Sequence, residues 1–399
     1  MNAFPKIREL LGAIAGNRFQ SARLADAGKI ATIGDFTTRV PFTTKADLVA
    51  DHAAHPPYGT NLTFPRERYT RFCQTSGTTA QPLAILDTPE SWDWMLGNWA
   101  RIYREAGVAR GDGVYFAFSF GPFLGFWTAF EAAAKYGCLC IPGGGLSSAA
   151  RIRGIVRHRA SVLLCTPTYA LHLAEVAARE GASLRDSAVR KIIVAGEPGG
   201  SVPTVRGRIS NAWNGAEVLD HYGMTEVGPV AFQRSGEEGI LHVIEESYFP
   251  EVIDPKSDAS VPDGTVGELV LTPLGRSASP LFRYRTGDLV RRGSGPRFSL
   301  VGGIIGRSDD MIVVRGVNIY PSAVEAVVRG VPEIVEYSVR VTRSGEMAEL
   351  ALEIESDDAA AAGRLENALG EAFALRIPVT RVANGSLPRF ELKARRWQG

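Results

Sequence analysis

Between residues 69 and 196, short apolar runs alternate with amphipathic stretches. Residues 69–74 (Tyr-Thr-Arg-Phe-Cys-Gln) predict a short strand. Val114-Tyr115-Phe116-Ala117-Phe118, Cys138-Leu139-Cys140-Ile141, Val162-Leu163-Leu164-Cys165 and Lys191-Ile192-Ile193-Val194-Ala195 predict further strands. Their near-continuous apolar text suits strands covered on both faces. Helical spacing fills the intervals over 89–107, 125–136, 148–158 and 169–181. This alternation predicts a largely parallel sheet covered by helices. In such sheets a ligand crevice opens beyond the carboxyl ends of the strands. The segments after residue 74 and after residue 195 both reach that edge.

The flanking regions differ in texture. Residues 1–41 show a short helical pattern with a turn near Gly34-Asp35. Pro41-Phe42-Thr43-Thr44-Lys45 then predicts a helix start, with Thr43 or Thr44 as cap and Asp47 in the first turn. From about residue 240, turn-bounded runs at 242–244, 267–272 and 281–285 predict strands, with Pro262-Asp263-Gly264 as a turn. After Gly306, strands at 311–314, 336–341 and 348–354 and helices at 322–329 and 359–373 predict a small α+β unit. The expected fold is α/β. A large N-terminal domain (1–306) has mostly parallel helix-covered sheets plus a β subdomain, and residues 307–399 form a small mobile α+β lid.

Composition narrows the partners. With 399 residues, two or three domains are expected. A formal net charge of +1 argues against broad binding to nucleic acid or to an anionic membrane. No stretch approaches the length of a membrane span, and residues 1–11 lack the apolar core of a signal peptide. Cysteine is sparse, and Cys138-Leu139-Cys140 has no second pair, so it reads as strand text rather than a zinc or redox site. A reducing cytoplasm is the expected compartment.

Four polar, glycine-containing segments stand between apolar runs in the order expected of loops lining one site. They are Thr75-Ser76-Gly77-Thr78-Thr79, Tyr222-Gly223-Met224-Thr225-Glu226, Tyr284-Arg285-Thr286-Gly287-Asp288 and Gly306-Arg307-Ser308-Asp309-Asp310. The first is a hydroxyl-rich turn suited to phosphate oxygens. With Phe249-Pro250-Glu251-Val252-Ile253-Asp254-Pro255 and residues 315–321, these segments make the chain resemble the adenylate-forming superfamily. Within it, the chain is most similar to phenylacetate–CoA ligases, from about Pro41 to Lys393.

The resemblance implies that a carboxylic acid is joined to ATP with release of pyrophosphate, and that the thiol of CoA then attacks the acyl-adenylate. It implies ATP, Mg²⁺ and coenzyme A as cofactors. Thr75, Ser76, Gly77, Thr78 and Thr79 match the phosphate loop, although this chain continues Ala80-Gln81 where the family continues Gly-Lys. Thr225 and Glu226 match the pair at the α-phosphate and the magnesium ion. Gly196, Glu197 and Pro198 match the segment along the adenine, and Asp220, Tyr222 and Gly223 border the nucleotide. Asp288 matches the aspartate that accepts from the ribose hydroxyls, and Arg307 an arginine of the same region. Asp309 matches the hinge. Lys393 matches the late catalytic lysine, with Leu392 in place of the usual glycine.

The run Ala117-Phe118-Ser119-Phe120-Gly121-Pro122-Phe123 occupies the family's acid-pocket region. Phe118, Phe120, Phe123, Gly125, Ala195 and His221 are the candidates for contacting the acid. Aromatic walls suit an aromatic carboxylic acid, and packed core side chains are the competing reading. The expected activity is an aryl or arylacetic acid–CoA ligase, and the family analogy favours a homodimer. Two alternatives stay open: transfer of the acyl group to a carrier protein or an amine, and a non-catalytic nucleotide-binding protein.

Overall fold

The computed structural model describes residues 3–14, 16–24, 29–75, 82–308, 312–315, 317–344, 347–390 and 396–398. Its main sheet has eight strands. Leu139–Pro142, Gly113–Phe116, Val162–Cys165, Lys191–Val194 and Glu217–Met224 run parallel in that spatial order. Gly228–Phe232, Ile240–Val243 and Ser299–Val301 then extend the sheet antiparallel. Strand alternation sends Phe116, Ile193 and Leu219 into one apolar core and Tyr115, Ile192 and Val218 into the other. The helices Pro89–Glu105 and Leu124–Tyr136 cover the first face, and Ser148–Arg157, Pro167–Arg179 and Pro203–Ala212 cover the second.

A second, antiparallel sheet joins Tyr248–Ile253, Val266–Pro273, Tyr284–Arg291 and Gly306–Arg307. The N-terminal helices pack against it through Ile7, Leu10, Phe36 and Val40 on Leu274 and Phe282. The expected helix start is present at Lys45–Ala54, where Thr44 rather than Thr43 is the cap and forms a capping box with Asp47. The C-terminal strands Ile312–Val314, Val317–Ile319, Glu336–Ser344, Met347–Glu355, Val379–Val382 and Trp397–Gln398 form a third sheet with its own core. The helices Pro321–Arg329 and Ala361–Phe373 pack on it.

Among the described residues, this unit meets the rest through the helix Pro321–Arg329 and through polar side chains. Arg208 donates to the carbonyl of Ile334 at 3.4 Å, and Arg389 stands 4.0 Å from Glu175. A gap of about 20 Å³ between them is lined by Thr168, Glu175, Arg329, Arg389 and Arg396, among others.

Three expectations are corrected. Gly34-Asp35 lies in the first turn of the helix Ile33–Arg39, where the Asp35 N–H donates to the capping hydroxyl of Thr32. The strand expected at 281–285 begins only at Tyr284, because Arg283 has φ +46°, outside the extended region. The segments at 222–224, 286–288 and 306–307, expected as loops, are strand ends and strand interiors. Their polar residues turn inward to one another, so the usual link between polar text and a loop fails there.

Candidate active site

The carboxyl edge of the main sheet faces the second sheet, and the polar strand residues meet there. Asp288 lies on Tyr284–Arg291, directly opposite Arg307 of the neighbouring strand. The Tyr222 hydroxyl donates to Asp288 Oδ2 at 2.6 Å, and Arg307 Nη1 reaches Oδ1 at 3.3 Å. The backbone N–H of Asp288 donates to Thr286 Oγ1 at 3.0 Å, and that hydroxyl donates to the carbonyl of Leu269 at 2.7 Å. Burial, reinforced by the charge of Asp288, pushes the Tyr222 phenol far above its ordinary range, so it remains an O–H donor. Gly287 has φ +74°, and a Cβ there would lie 2.7 Å from Arg307 Nη2. Glycine at 287 therefore lets the guanidinium lie along the strand.

Thr225 and Glu226 form the turn after Glu217–Met224. Glu226 is buried, with Lys45 Nζ 3.6 Å from Oε1. Burial, with the Glu226 charge next, also drives the Tyr284 phenol upward, so this hydroxyl too stays protonated beside the carboxylate. Arg276 holds the turn from behind: its Nη1 donates to the carbonyls of Thr225 and Glu226 at 2.7 and 2.8 Å.

Asp220 lies next to Val194 across the parallel pair, beside the segment that continues into Ala195 and Gly196. It accepts from Ser201 Oγ at 2.5 Å, and burial raises its carboxyl to about 6 despite that bond and Arg206. Glu197 accepts from the N–H and hydroxyl of Thr168 at the start of the helix Pro167–Arg179. That is a favourable place for a carboxylate. Gly196 has φ +92°, and Gly196 and Pro198 are exposed. His221 points away from this edge: its ring lies 4.3 Å from that of Trp99, and Nδ1–H donates to the carbonyl of Ala231 at 2.9 Å. Burial lowers its pKa to about 4, which leaves it neutral at neutral pH.

The aromatic candidates cluster. Phe118 stacks on Phe126 at 4.2 Å and meets Phe120 at 5.2 Å, and Phe123 meets Phe126 at 5.9 Å. Gly125 is exposed, with open space where a side chain would stand. The aromatic loop touches the neck of the hydroxyl-rich segment, where the N–H of Gln74 donates to the carbonyl of Pro122 at 2.8 Å. Thr75 is buried and staples that neck: its N–H donates to the carbonyl of Leu83, and its Oγ1 accepts from the N–H of Leu83, both at 3.0 Å. Ser76, Gly77, Thr78, Thr79, Asp309 and Lys393 lie outside the described residues.

Three contributors escaped the sequence reading. Lys45 stands in the text only as part of a helix start, Ser201 has no signal, and Arg276 sits in a stretch with no recognisable pattern. A charged residue in turn-like text such as Leu274-Gly275-Arg276-Ser277 gives no hint of full burial.

The family model described as AMP-binding enzyme matches residues 44–273, and that of the AMP-binding enzyme C-terminal domain matches residues 316–398. Phenylacetate-coenzyme A ligase of Pseudomonas putida is 33% identical over 322 residues, covering 79% of this chain and 72% of that one. The Thermus thermophilus enzyme of the same name is 32% identical, covering 88% and 84%. A 2-hydroxyisobutyryl-CoA ligase in the postadenylation state with 2-HIB-AMP superposes with a TM-score of 0.92 at 29% identity, covering 100% of this chain and 90% of that one. The same ligase in its thioesterification state gives 0.73. This chain thus superposes better on that ligase's postadenylation form than on its thioesterification form. The chain belongs to the AMP-binding enzymes, as an acid–thiol ligase of the phenylacetate–CoA ligase-like type.

Proposed function

We propose that this chain uses ATP to activate an aromatic or arylacetic carboxylic acid and transfers the acyl group to CoA. The observation that carries it is Asp288, a buried carboxylate held between Tyr222 and Arg307 at the junction of the two sheets. An ionised acceptor there suits the hydroxyls of a ribose. Its relatives among phenylacetate–CoA ligases and the cluster around Phe118, Phe120 and Phe123 support an aromatic acid.

A carboxylate oxygen of the acid attacks the α-phosphorus, and the bond to pyrophosphate breaks. The CoA sulfur then attacks the acyl carbon, the bond to AMP breaks, and the thiol proton leaves to solvent. Asp288 and Arg307 orient the ribose, and Asp220 with Gly196, Glu197 and Pro198 flanks the base. Thr225 faces the α-phosphate. Lys393 neutralises the reacting oxygens. Arg307 stays with the second sheet through its pairing with Asp288, and the residues after Asp309 act as the lid, turning about it.

Glu226 is a fitting site for Mg²⁺, which takes one or two carboxylates together with phosphate oxygens and water rather than an all-protein cage. Its carboxylate is buried with Lys45 beside it, and no group of three metal-ligating side chains stands among the described residues, at Glu226 or elsewhere. When bound, Mg²⁺ would neutralise charge that develops on the phosphates. No helix among the described residues is long and apolar enough to cross a membrane. The four free cysteines fit the reducing cytoplasm in which ATP and CoA are found.

The test is AMP release, with and without CoA, across benzoate, phenylacetate, hydroxybenzoates, anthranilate and short fatty acids. CoA-dependent AMP release with an aromatic acid supports the reading. Activity confined to aliphatic acids would remove the substrate class, and AMP release indifferent to CoA would move the acceptor to a carrier protein or amine.

A further inference from the structure

Arg276 is fully buried, 0% exposed, and so is its partner Asp87. Its Nε and Nη2 donate to the two oxygens of Asp87 at 2.8 and 2.6 Å, a bidentate pair. Its Nη1 donates to the carbonyls of Thr225 and Glu226 at 2.7 and 2.8 Å. Thus one guanidinium grips three points. Two are successive carbonyls of the turn that carries the metal candidate. The third ends the strand Ala84–Asp87, which pairs antiparallel with Arg71–Gln74.

A stability role alone explains this poorly. Two charges taken this far from water forfeit their hydration, and a well-packed apolar pair of equal volume often serves stability as well. An apolar pair cannot donate to the two carbonyls. Those carbonyls sit on either side of the Glu226 N–Cα bond, so fixing both fixes where the Glu226 side chain leaves the backbone. Asp87 in turn fixes the guanidinium plane, since only one orientation satisfies both carboxylate oxygens. Ser279 and Ser91 add to the rigidity, bonding to the carbonyl of Leu86 and the N–H of Ala278.

We propose that Arg276, oriented by Asp87, is the positioning residue of the Thr225–Glu226 turn and sets the Glu226 carboxylate for Mg²⁺ at the phosphates of ATP. This rests on the function proposed above. It goes further in giving metal-dependent binding to two residues that touch neither metal nor nucleotide.

The test is equilibrium binding of ATP, without any acid so that no turnover occurs, with and without Mg²⁺. It is joined to the two half-reactions measured separately. Arg276→Lys keeps the charge and loses the fork. It is expected to fold and to form thioester from preformed acyl-adenylate within about twofold of the parent, while the Mg²⁺-dependent gain in ATP affinity falls roughly 10- to 100-fold, as for other groups that orient a metal ligand. Asp87→Asn, which keeps one acceptor, is expected to lose less of the same gain, and it carries the test if Arg276→Lys does not fold. An undiminished Mg²⁺ gain in a folded variant overturns the proposal, and so does an equal fall in both half-reactions. A parent protein that neither binds ATP nor releases AMP overturns the proposed function instead.

Discussion

The hydroxyl of Tyr222 and Oδ2 of Asp288, 66 residues apart in the chain, are joined by a 2.6 Å hydrogen bond. This bond ties the last parallel strand of the main sheet to the second sheet. It engages one Asp288 oxygen while Arg307 approaches the other, which fixes the carboxylate at the junction of the two sheets. Asp288→Ala is expected to weaken ATP binding at least about tenfold, as two charge-assisted bonds are lost. Tyr222→Phe removes only the orienting donor and should cost about threefold to tenfold. Titration of ATP against each variant measures both, and an unchanged affinity in Asp288→Ala would remove its ribose role.

Gly287 tests the same strand through its backbone. An alanine would be strained at φ +74° and would press on Arg307. Gly287→Ala should destabilise the protein by roughly 1–2 kcal/mol. It should also raise the KM for ATP by pushing Arg307 off Asp288. Thermal unfolding and steady-state kinetics read the two effects separately. A KM equal to the parent's would mean that Arg307 has room to yield.

The buried carboxyl of Asp220 gives a pH signature. Its pKa is about 6 in the folded chain, against 3.8 for an unperturbed carboxyl, because burial disfavours its charge. In that window the folded state binds more protons than the unfolded state. Its contribution to stability is therefore greatest below pH 3.8 and is lost as pH rises through about 6. Asp220→Asn removes the buried charge and should stabilise the protein at pH 7 by up to roughly 3 kcal/mol. The gap should shrink toward zero at pH 4. A difference in Tm that does not change with pH would show that the carboxyl does not titrate in this range.

Lys393→Ala should cripple adenylation while leaving thioester formation from preformed acyl-adenylate largely intact. Single-turnover measurements of the two half-reactions decide this. Equal losses in both, or in neither, would remove Lys393 from the first step.

What the sequence revealed follows from which forces were local. The parallel strands were visible because strands covered on both faces must be apolar throughout, as Val162–Cys165 is. The helix start at residues 43–47 was visible because cap and acidic residue stand within one turn, though the text left Thr43 and Thr44 equal. The site's residue types were visible at Tyr222, Asp288 and Arg307 through family resemblance, but their strand setting was not. A polar strand whose partners come from distant segments looks like a loop. Arg276 was hidden for the same reason, since its four hydrogen bonds all go to residues at least 50 positions away. His221 was legible only as a candidate beside the site motif; its packing on Trp99 comes from a segment 122 residues away, which local text does not record.

The polar contacts between the C-terminal unit and the rest bear on the proposed lid movement. A partly exposed pair such as Arg389–Glu175 is worth less than about 1 kcal/mol. Contacts of that strength would let the proposed lid part from the rest on each turnover. Grafting apolar contacts across this boundary would have the opposite outcome. The protein would complete its first chemical step and then stall, holding a reactive mixed anhydride with no thiol in reach. On the proposed lid movement, a polar seam would thus guard against a leak, since a stranded anhydride is eventually lost to water.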